Sequence, residues 1–169
     1  MSKILYIANW KSNKTKEEAI QFFDQFKNEI ATVDTSNKHI IIAPPLTLLS
    51  ECKQYIVDNN LNVSLAAQNV SAFPQGAYTG EINARQIKEF VDYVIVGHSE
   101  RRKYLHEDES DIANKIREAT EMGIKVIQCI QDENSVIHKG AEIIAYEPPS
   151  AIGSGNPDDP RHVAEVFNS

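Results

Sequence analysis

The chain has 169 residues, 41% hydrophobic and 24% charged, with a formal net charge of −7. That length gives one domain able to bury roughly two-thirds of its unfolded surface, so a core forms without disulfide or metal staples. An acidic chain whose longest basic cluster is Arg101-Arg102-Lys103 argues against a nucleic-acid partner. No apolar run approaches the ~20 residues of a membrane helix. In chain order, Ile4 to Ala8 predicts a strand. Thr15 to about Ala31 predicts a helix, with Ala19, Ile20, Phe22, Phe23, Phe26 and Ile30 at helical spacing and a capping box from Thr15 to Glu18. A strand at His39–Ala43 and a helix from Leu46 to about Val57 follow. Next come a strand at Asn62–Ala67, a long polar loop, a short helix at Asn83–Phe90 and a strand at Tyr93–Val96. Glu107 to Glu121 predicts a long helix closed by Met122-Gly123, then a strand at Lys125–Cys129 and a weak helix at Asp132–Lys139. A strand at Glu142–Tyr146 and a helix from Asp158 to Phe167 complete the series.

This is an α/β chain of six βα units. The strand candidates are apolar throughout rather than alternating, as when both faces of a parallel sheet are covered by helices. Periodicity alone leaves two architectures, a closing barrel or a doubly wound sheet. The first strand runs into Asn9-Trp10-Lys11-Ser12-Asn13 instead of a glycine-rich phosphate turn, and no P-loop pattern occurs. Chemistry-bearing residues follow several different strands, the habit of barrels, whose sites sit at the C-terminal ends of their strands. Cys52 and Cys129 have neither ligand nor redox spacing, and His39, His106, His138 and His162 form no metal pattern. The last four read as surface or rim residues. The N-terminus reaches Asn9 too soon for a signal-peptide core, so the cytoplasm is the expected location.

Each candidate site residue admits two readings. Lys11, beyond the first strand, is a point charge for a phosphate or oxyanion, or a solvated loop lysine. Asn9 sits where it can orient Lys11 or a substrate. His98, in Gly97-His98-Ser99-Glu100-Arg101-Arg102, is a catalytic imidazole or a satisfied strand-end histidine. If a helical turn starts at Ser99, its free amides disfavour the charged ring. Glu100 is site or scaffold, and Arg101 or Arg102 fastens the loop to the rim. Glu147 ends the sixth strand ahead of Pro148-Pro149, which restrain it. It is a base, its pKa raised by burial on closure, or a capping or salt-bridging glutamate. Pro148, Pro149, Ser150, Ala151, Ile152, Gly153, Ser154 and Gly155 are stiff at the start and glycine-rich at the end, as in a lid on hinges or a plain linker. Gly153 and Ser154 can present backbone donors to a phosphate.

The combination is more specific than its parts. Asn9-Trp10-Lys11, the loop from Ala67-Gln68-Asn69-Val70 to Gly76-Ala77-Tyr78-Thr79-Gly80-Glu81, Val96 to Arg102, and Tyr146-Glu147-Pro148 with Ala151 to Gly155 occur in family order. Over essentially the whole chain the sequence resembles triosephosphate isomerase. The resemblance implies a TIM-barrel-type fold and interconversion of dihydroxyacetone phosphate and D-glyceraldehyde 3-phosphate, in glycolysis and gluconeogenesis, with no metal or organic cofactor. It implies Glu147 as the proton-transferring base, His98 as a neutral electrophile, Lys11 as stabiliser of oxyanion and phosphate, Asn9 beside it and Glu100 in support. In that family a helix N-terminus keeps the electrophilic histidine neutral, and the resemblance implies the same here. Residues 148–155 match its mobile loop. Gln68, Tyr78 and Thr79 belong to the loop that enters a neighbouring subunit, which implies a homodimer or higher homo-oligomer.

Two departures carry expectations of their own. The interval from Cys129 to Tyr146 is short, resembling compact archaeal-type members. The sequence ends in or just after the sixth helix, so the barrel is expected to be incomplete and to lack its seventh and eighth strands, where typical barrels of this class use ~250 residues. The resemblance implies that the loops after those strands would carry the amides that grip the phosphate. A catalytically weak or inactive phosphate-binding or assembly fragment, needing a complementary chain, is therefore the alternative to an enzyme.

Overall fold

The apolar runs pair in the order in which they occur. The computed structural model describes residues 3–152 and 154–168. Its strands are β1 (Ile4–Asn9), β2 (Lys38–Ala43), β3 (Val63–Ala67), β4 (Tyr93–Val96), β5 (Lys125–Ile130) and β6 (Ala141–Tyr146). They form one sheet in the order β1 to β6, every pair parallel. A doubly wound sheet would reverse direction at a switch point. Unbroken sequential order instead gives a curled half-barrel, an incomplete TIM barrel of six parallel strands. Among the described residues β1 and β6 each have one strand neighbour.

The connecting helices are α1 (Lys16–Ile30), α2 (Leu49–Asp58, entered through a 3-10 turn at Leu46–Leu48), α3 (Ala84–Ile87), α4 (Ser99–Leu105), α5 (Glu109–Glu121) and α6 (Pro160–Asn168). Three begin with reciprocal capping boxes: Thr15 with Glu18, Asn83 with Gln86, and Asp108 with Asp111. Each satisfies two backbone donors that a helix start leaves free. At the end of α5, Gly123 takes φ +67, which lets Ile124 N–H return to Ala119 O at 2.9 Å and turns the chain into β5.

Two apolar layers result. The outer one lies between sheet and helices and includes Phe23, Leu49, Ile56, Ile87, Ile112 and Ile116 over Ile42, Val94 and Val96. The inner one fills the concave face with Ile41, Ala43, Ala66, Tyr93, Ile95, Ile127 and Cys129, flanked by Ile7, Ile143 and Ala145. Burial is complete along β4 and fades towards β1, where Ile4, Leu5 and Tyr6 are exposed. The middle of the half-barrel is therefore its stable part.

Two predicted elements differ. Residues 132–139 are turns, not a helix. Their backbone groups are claimed by side chains: Ser135 Oγ accepts from Gln131 and Asp132 N–H, and the Gln128 amide binds Val136 O and His138 N–H. Conversely, residues 99–105, assigned no more than a conditional turn by sequence, form α4.

Phe23 is 1% exposed and packs its ring against Trp10, Phe22 and Tyr55. Phe23→Ala is expected to cost about 3–5 kcal/mol of unfolding free energy, read as a lowered midpoint in urea denaturation.

Candidate active site

The site is assembled where β1, β4 and β6 end. After β4, Gly97 adopts φ +73, and a Cβ there would lie 3.1 Å from Ile112 Cδ1 and 3.3 Å from Arg102 Nη2. That tight turn delivers His98 as the N-cap of α4. Glu100 N–H donates to His98 Nδ1 at 3.2 Å. A ring nitrogen that accepts carries no proton, so the proton of the neutral ring is on Nε2. Nε2 lies 2.8 Å from Glu147 Oε1. Glu147 follows β6, its own N–H held by Ile130 O at 2.8 Å, and its Oε2 accepts from Ser99 N–H at 2.8 Å. Both side chains are mostly buried, 11% and 18% exposed.

Burial pushes the Glu147 carboxyl upward, but the bonds from His98 and Ser99 outweigh it, so the net shift is downward. The rise expected from the sequence belongs to burial on closure; in the present arrangement the partners that bury the carboxylate also donate to it, and the net shift is downward. Burial, foremost, and the neighbouring Glu147 carboxylate push the Cys129 thiol upward. That suits a packed, protonated thiol.

Lys11 stands on the other side of His98. Its backbone is left-handed, φ +53, and its N–H donates to Asn9 Oδ1 at 2.9 Å. Such a conformation is strained for lysine and needs an external hold. Gln68 supplies one, donating to Lys11 O at 2.9 Å and to Ala43 O at 2.8 Å. Sequence reasoning placed Gln68 in the oligomer loop, and the structure turns its amide inward onto the Lys11 turn. The signal available was its position directly after β3. Lys11 Nζ lies 2.7 Å from Glu100 Oε1, and Glu100 Oε2 lies 3.6 Å from His98 Nδ1. Asn9, Lys11, His98 and Glu100 line a cavity of about 480 Å³ that continues past Gly80, Tyr104 and Leu105. Glu147 meets this group through His98.

Arg101 and Arg102 fasten α4. Arg101 Nε donates to Glu107 at 2.8 Å, and the buried Glu107 also takes Lys115 Nζ at 2.6 Å. Arg102 Nε donates to Gly97 O at 3.0 Å. In residues 148–155, Ala151 N–H returns to Pro148 O at 3.0 Å, and Ser154 Oγ bonds Ala151 O and Asn156 O. These contacts are internal to a rim turn carrying Pro149, Ser150, Ile152 and Gly155. Gly153 lies outside the described residues. Tyr78 and Thr79 are exposed on the long loop, where Tyr78 stacks on Phe73 at 4.5 Å. Two of the histidines read from sequence as surface or rim residues also make specific contacts. His39 is half-buried against Tyr93, and His138 is half-buried on Glu109. Among the described residues no three His, Cys, Asp or Glu side chains gather as a metal site, and no helix is long and apolar enough to cross a membrane.

A family model described as triosephosphate isomerase matches residues 4–142. The chain belongs to the triosephosphate isomerase family. Curated triosephosphate isomerases of Fusobacterium nucleatum and Chlamydia muridarum are 34% and 36% identical to it, each alignment covering 98% of this chain and 74% and 68% of the relative. That of Endomicrobium trichonymphae is 37% identical over 99% of this chain and 75% of its own length. The alignments run to about 190 positions, more than this chain has, so the triosephosphate isomerase relatives carry internal residues that it lacks. Ten residues join β5 to β6 here. Family-model matching ends before Glu147, a stretch that alignments of such coverage still include.

The Glu147 shift predicts an acid-side stability effect. Its folded pKa is depressed, so the contribution is full above the ordinary glutamate range near ~4.3 and is lost as pH falls through the lower folded value. Unfolding of wild type and Glu147→Gln compared over that range is expected to show a steeper acid loss in wild type.

Proposed function

We propose that this chain interconverts dihydroxyacetone phosphate and D-glyceraldehyde 3-phosphate. The observation that carries the proposal is the shared bond of Glu147 and His98 beside the cavity lined by Lys11. Glu147 now accepts the Nε2–H that a substrate carbonyl oxygen would accept. When substrate takes that place, the carboxylate turns to the adjacent carbon and removes its proton. Negative charge then develops on the oxygen held by His98 and is stabilised by the Lys11 ammonium, which Glu100 releases. The hydroxyl proton passes to the former carbonyl oxygen by way of His98 Nε2, Glu147 returns the carbon-derived proton to the neighbouring carbon, and no cofactor enters. Asn9 keeps the Lys11 turn in place, and Gly153 and Ser154 meet the phosphate when residues 148–155 close and exclude water. Relatives with the printed name triosephosphate isomerase support this substrate assignment. A glycolytic and gluconeogenic role in the cytoplasm accompanies it.

A second reading rests on the edges of β1 and β6, which no other strand pairs among the described residues, and on the exposed Ile4, Leu5 and Tyr6. In it, the chain is a weak phosphate-binding or assembly fragment that turns over only with a complementary chain on those edges. Self-association belongs to the first reading. The exposed Phe73–Tyr78 stack suits the groove that Leu46, Tyr104 and Leu105 border on a second copy. Thr79 would then approach the neighbour's Lys11 and Glu100.

Isomerisation of glyceraldehyde 3-phosphate by the purified chain is expected to fall about 10²–10⁴-fold in Glu147→Gln. Equal rates in both proteins, rising only when a complementary chain is added, would favour the second reading. Tyr78→Asp is expected to lower the mass seen by sedimentation equilibrium, because it places a charge in the proposed contact.

A further inference from the structure

We infer that His138, on the loop between β5 and β6, is a positioning residue for His98 and acts through Glu109 and Arg102. This rests on the proposed role of His98. His138 Nε2 lies 2.7 Å from Glu109 Oε2. The other oxygen of Glu109 accepts from Arg102 Nη1. Arg102 Nε in turn donates to Gly97 O at 3.0 Å, and its Nη2 lies 3.3 Å from the point a Gly97 Cβ would occupy. Its guanidinium therefore bears on the peptide that joins Gly97 to His98, the plane from which the imidazole projects.

His138 does not reach Glu109 by chance placement of a surface loop. Gln128 in β5 is fully buried, and both ends of its amide are committed to that loop, Nε2 to Val136 O at 2.6 Å and Oε1 to His138 N–H at 2.9 Å. A buried amide is tolerated only when satisfied, and here satisfaction fixes the residue that carries the ring. Burial raises the Glu109 carboxyl, but its bonds to Arg102 and His138 prevail and lower it.

Stability is a poor account of the chain of contacts. Glu109 is 45% exposed, and ion pairs of that exposure contribute little. Orientation is the larger effect, since reacting groups need placement within ~0.5 Å. The His98 ring sits three bonded contacts from His138, each made by a planar group.

The test is imidazole ¹⁵N NMR of the histidine-labelled chain, with His98 assigned by a His98→Gln control and turnover measured beside it. His138→Ala and Glu109→Ala are expected to move the His98 nitrogen signals, and His138→Gln, whose amide can still donate to Glu109, to restore them. Where wild type turns over, kcat is expected to fall about tenfold in the alanine variants with KM nearly unchanged. Glu109→Ala, at a half-exposed position, keeps the test available if His138→Ala unfolds. His98 signals that stay in place in the folded alanine variants overturn the inference, whatever turnover does. A wild type without turnover sinks the isomerase reading alone, because the NMR comparison still decides this one.

Discussion

Parallel pairing in unbroken order is the constraint on which everything else in this chain rests. Because β1 to β6 run the same way, all six C-terminal ends open on one rim. Residues that are far apart in sequence, Lys11, His98 and Glu147, are thereby brought to one rim, where they are linked directly or through Glu100. The price is that every strand must be returned by a crossover. The helices that provide the crossovers from β1 to β5 also supply the outer apolar layer, so the rim and the core are made by the same act of folding. The dependence is uneven. β4 and β5 are flanked on both sides and almost wholly buried, whereas β1 has one strand neighbour and exposes Ile4, Leu5 and Tyr6. Of the three site positions, His98 therefore stands on the firmest support, and Lys11 depends most on local anchors such as Gln68 and Asn9.

In this state the charged groups of the site are spent on one another. Glu100 takes Lys11 and Glu147 takes His98. The two pairs differ in how easily they part. Lys11 and Glu100 are 45% and 40% exposed, so water can replace either partner at small cost. Glu147 is largely buried and keeps a backbone donor, Ser99 N–H, as well as the ring. An incoming anion would be met first by the exposed lysine. Release of the carboxylate would need a competing acceptor for His98 Nε2–H. Their difference in burial thus suits the proposed function, in which Lys11 parts from Glu100 before Glu147 parts from His98.

The βα series was legible because helix-face periodicity, capping boxes and short apolar runs agree at Thr15–Ile30, Glu109–Glu121 and the strands. Periodicity could not settle barrel against open sheet, since that depends on which strands become neighbours. α4 was hidden because Ser99–Leu105 is short and polar, and its start is set by His98 and Glu147 from outside the helix. The false helix at 132–139 failed for the opposite reason: a buried Gln128, eight residues before Val136, takes the backbone groups that a helix would need. Motif order named Lys11, His98 and Glu147 as candidates. It gave no hint that Gln68 faces inward, or that His138 and Glu109 are linked, because those contacts run between elements with no local sequence pattern.

The rim segment after β6 shows how a movable piece can be built on a half-buried strand. Its two ends are tied together rather than to the cavity. Tyr146 donates through its hydroxyl to Asp158 Oδ2 at 3.1 Å, and His162 Nδ1 lies 2.8 Å from the same oxygen. Tyr146 also packs edge-on against Phe167 of α6. Between those anchors the described residues bond mainly among themselves, as Ala151 does with Pro148 and Ser154 with Asn156. A segment tied at its base, with part of its backbone bonded within itself, suits the proposed lid, because such contacts can travel with it as its angle to the rim changes. Glu147 lies directly before Pro148, at the start of that segment. In the proposed closure, swinging the segment and turning the carboxylate away from His98 would be motions of one stretch of backbone, so the proposed base would be coupled to the lid through chain connectivity.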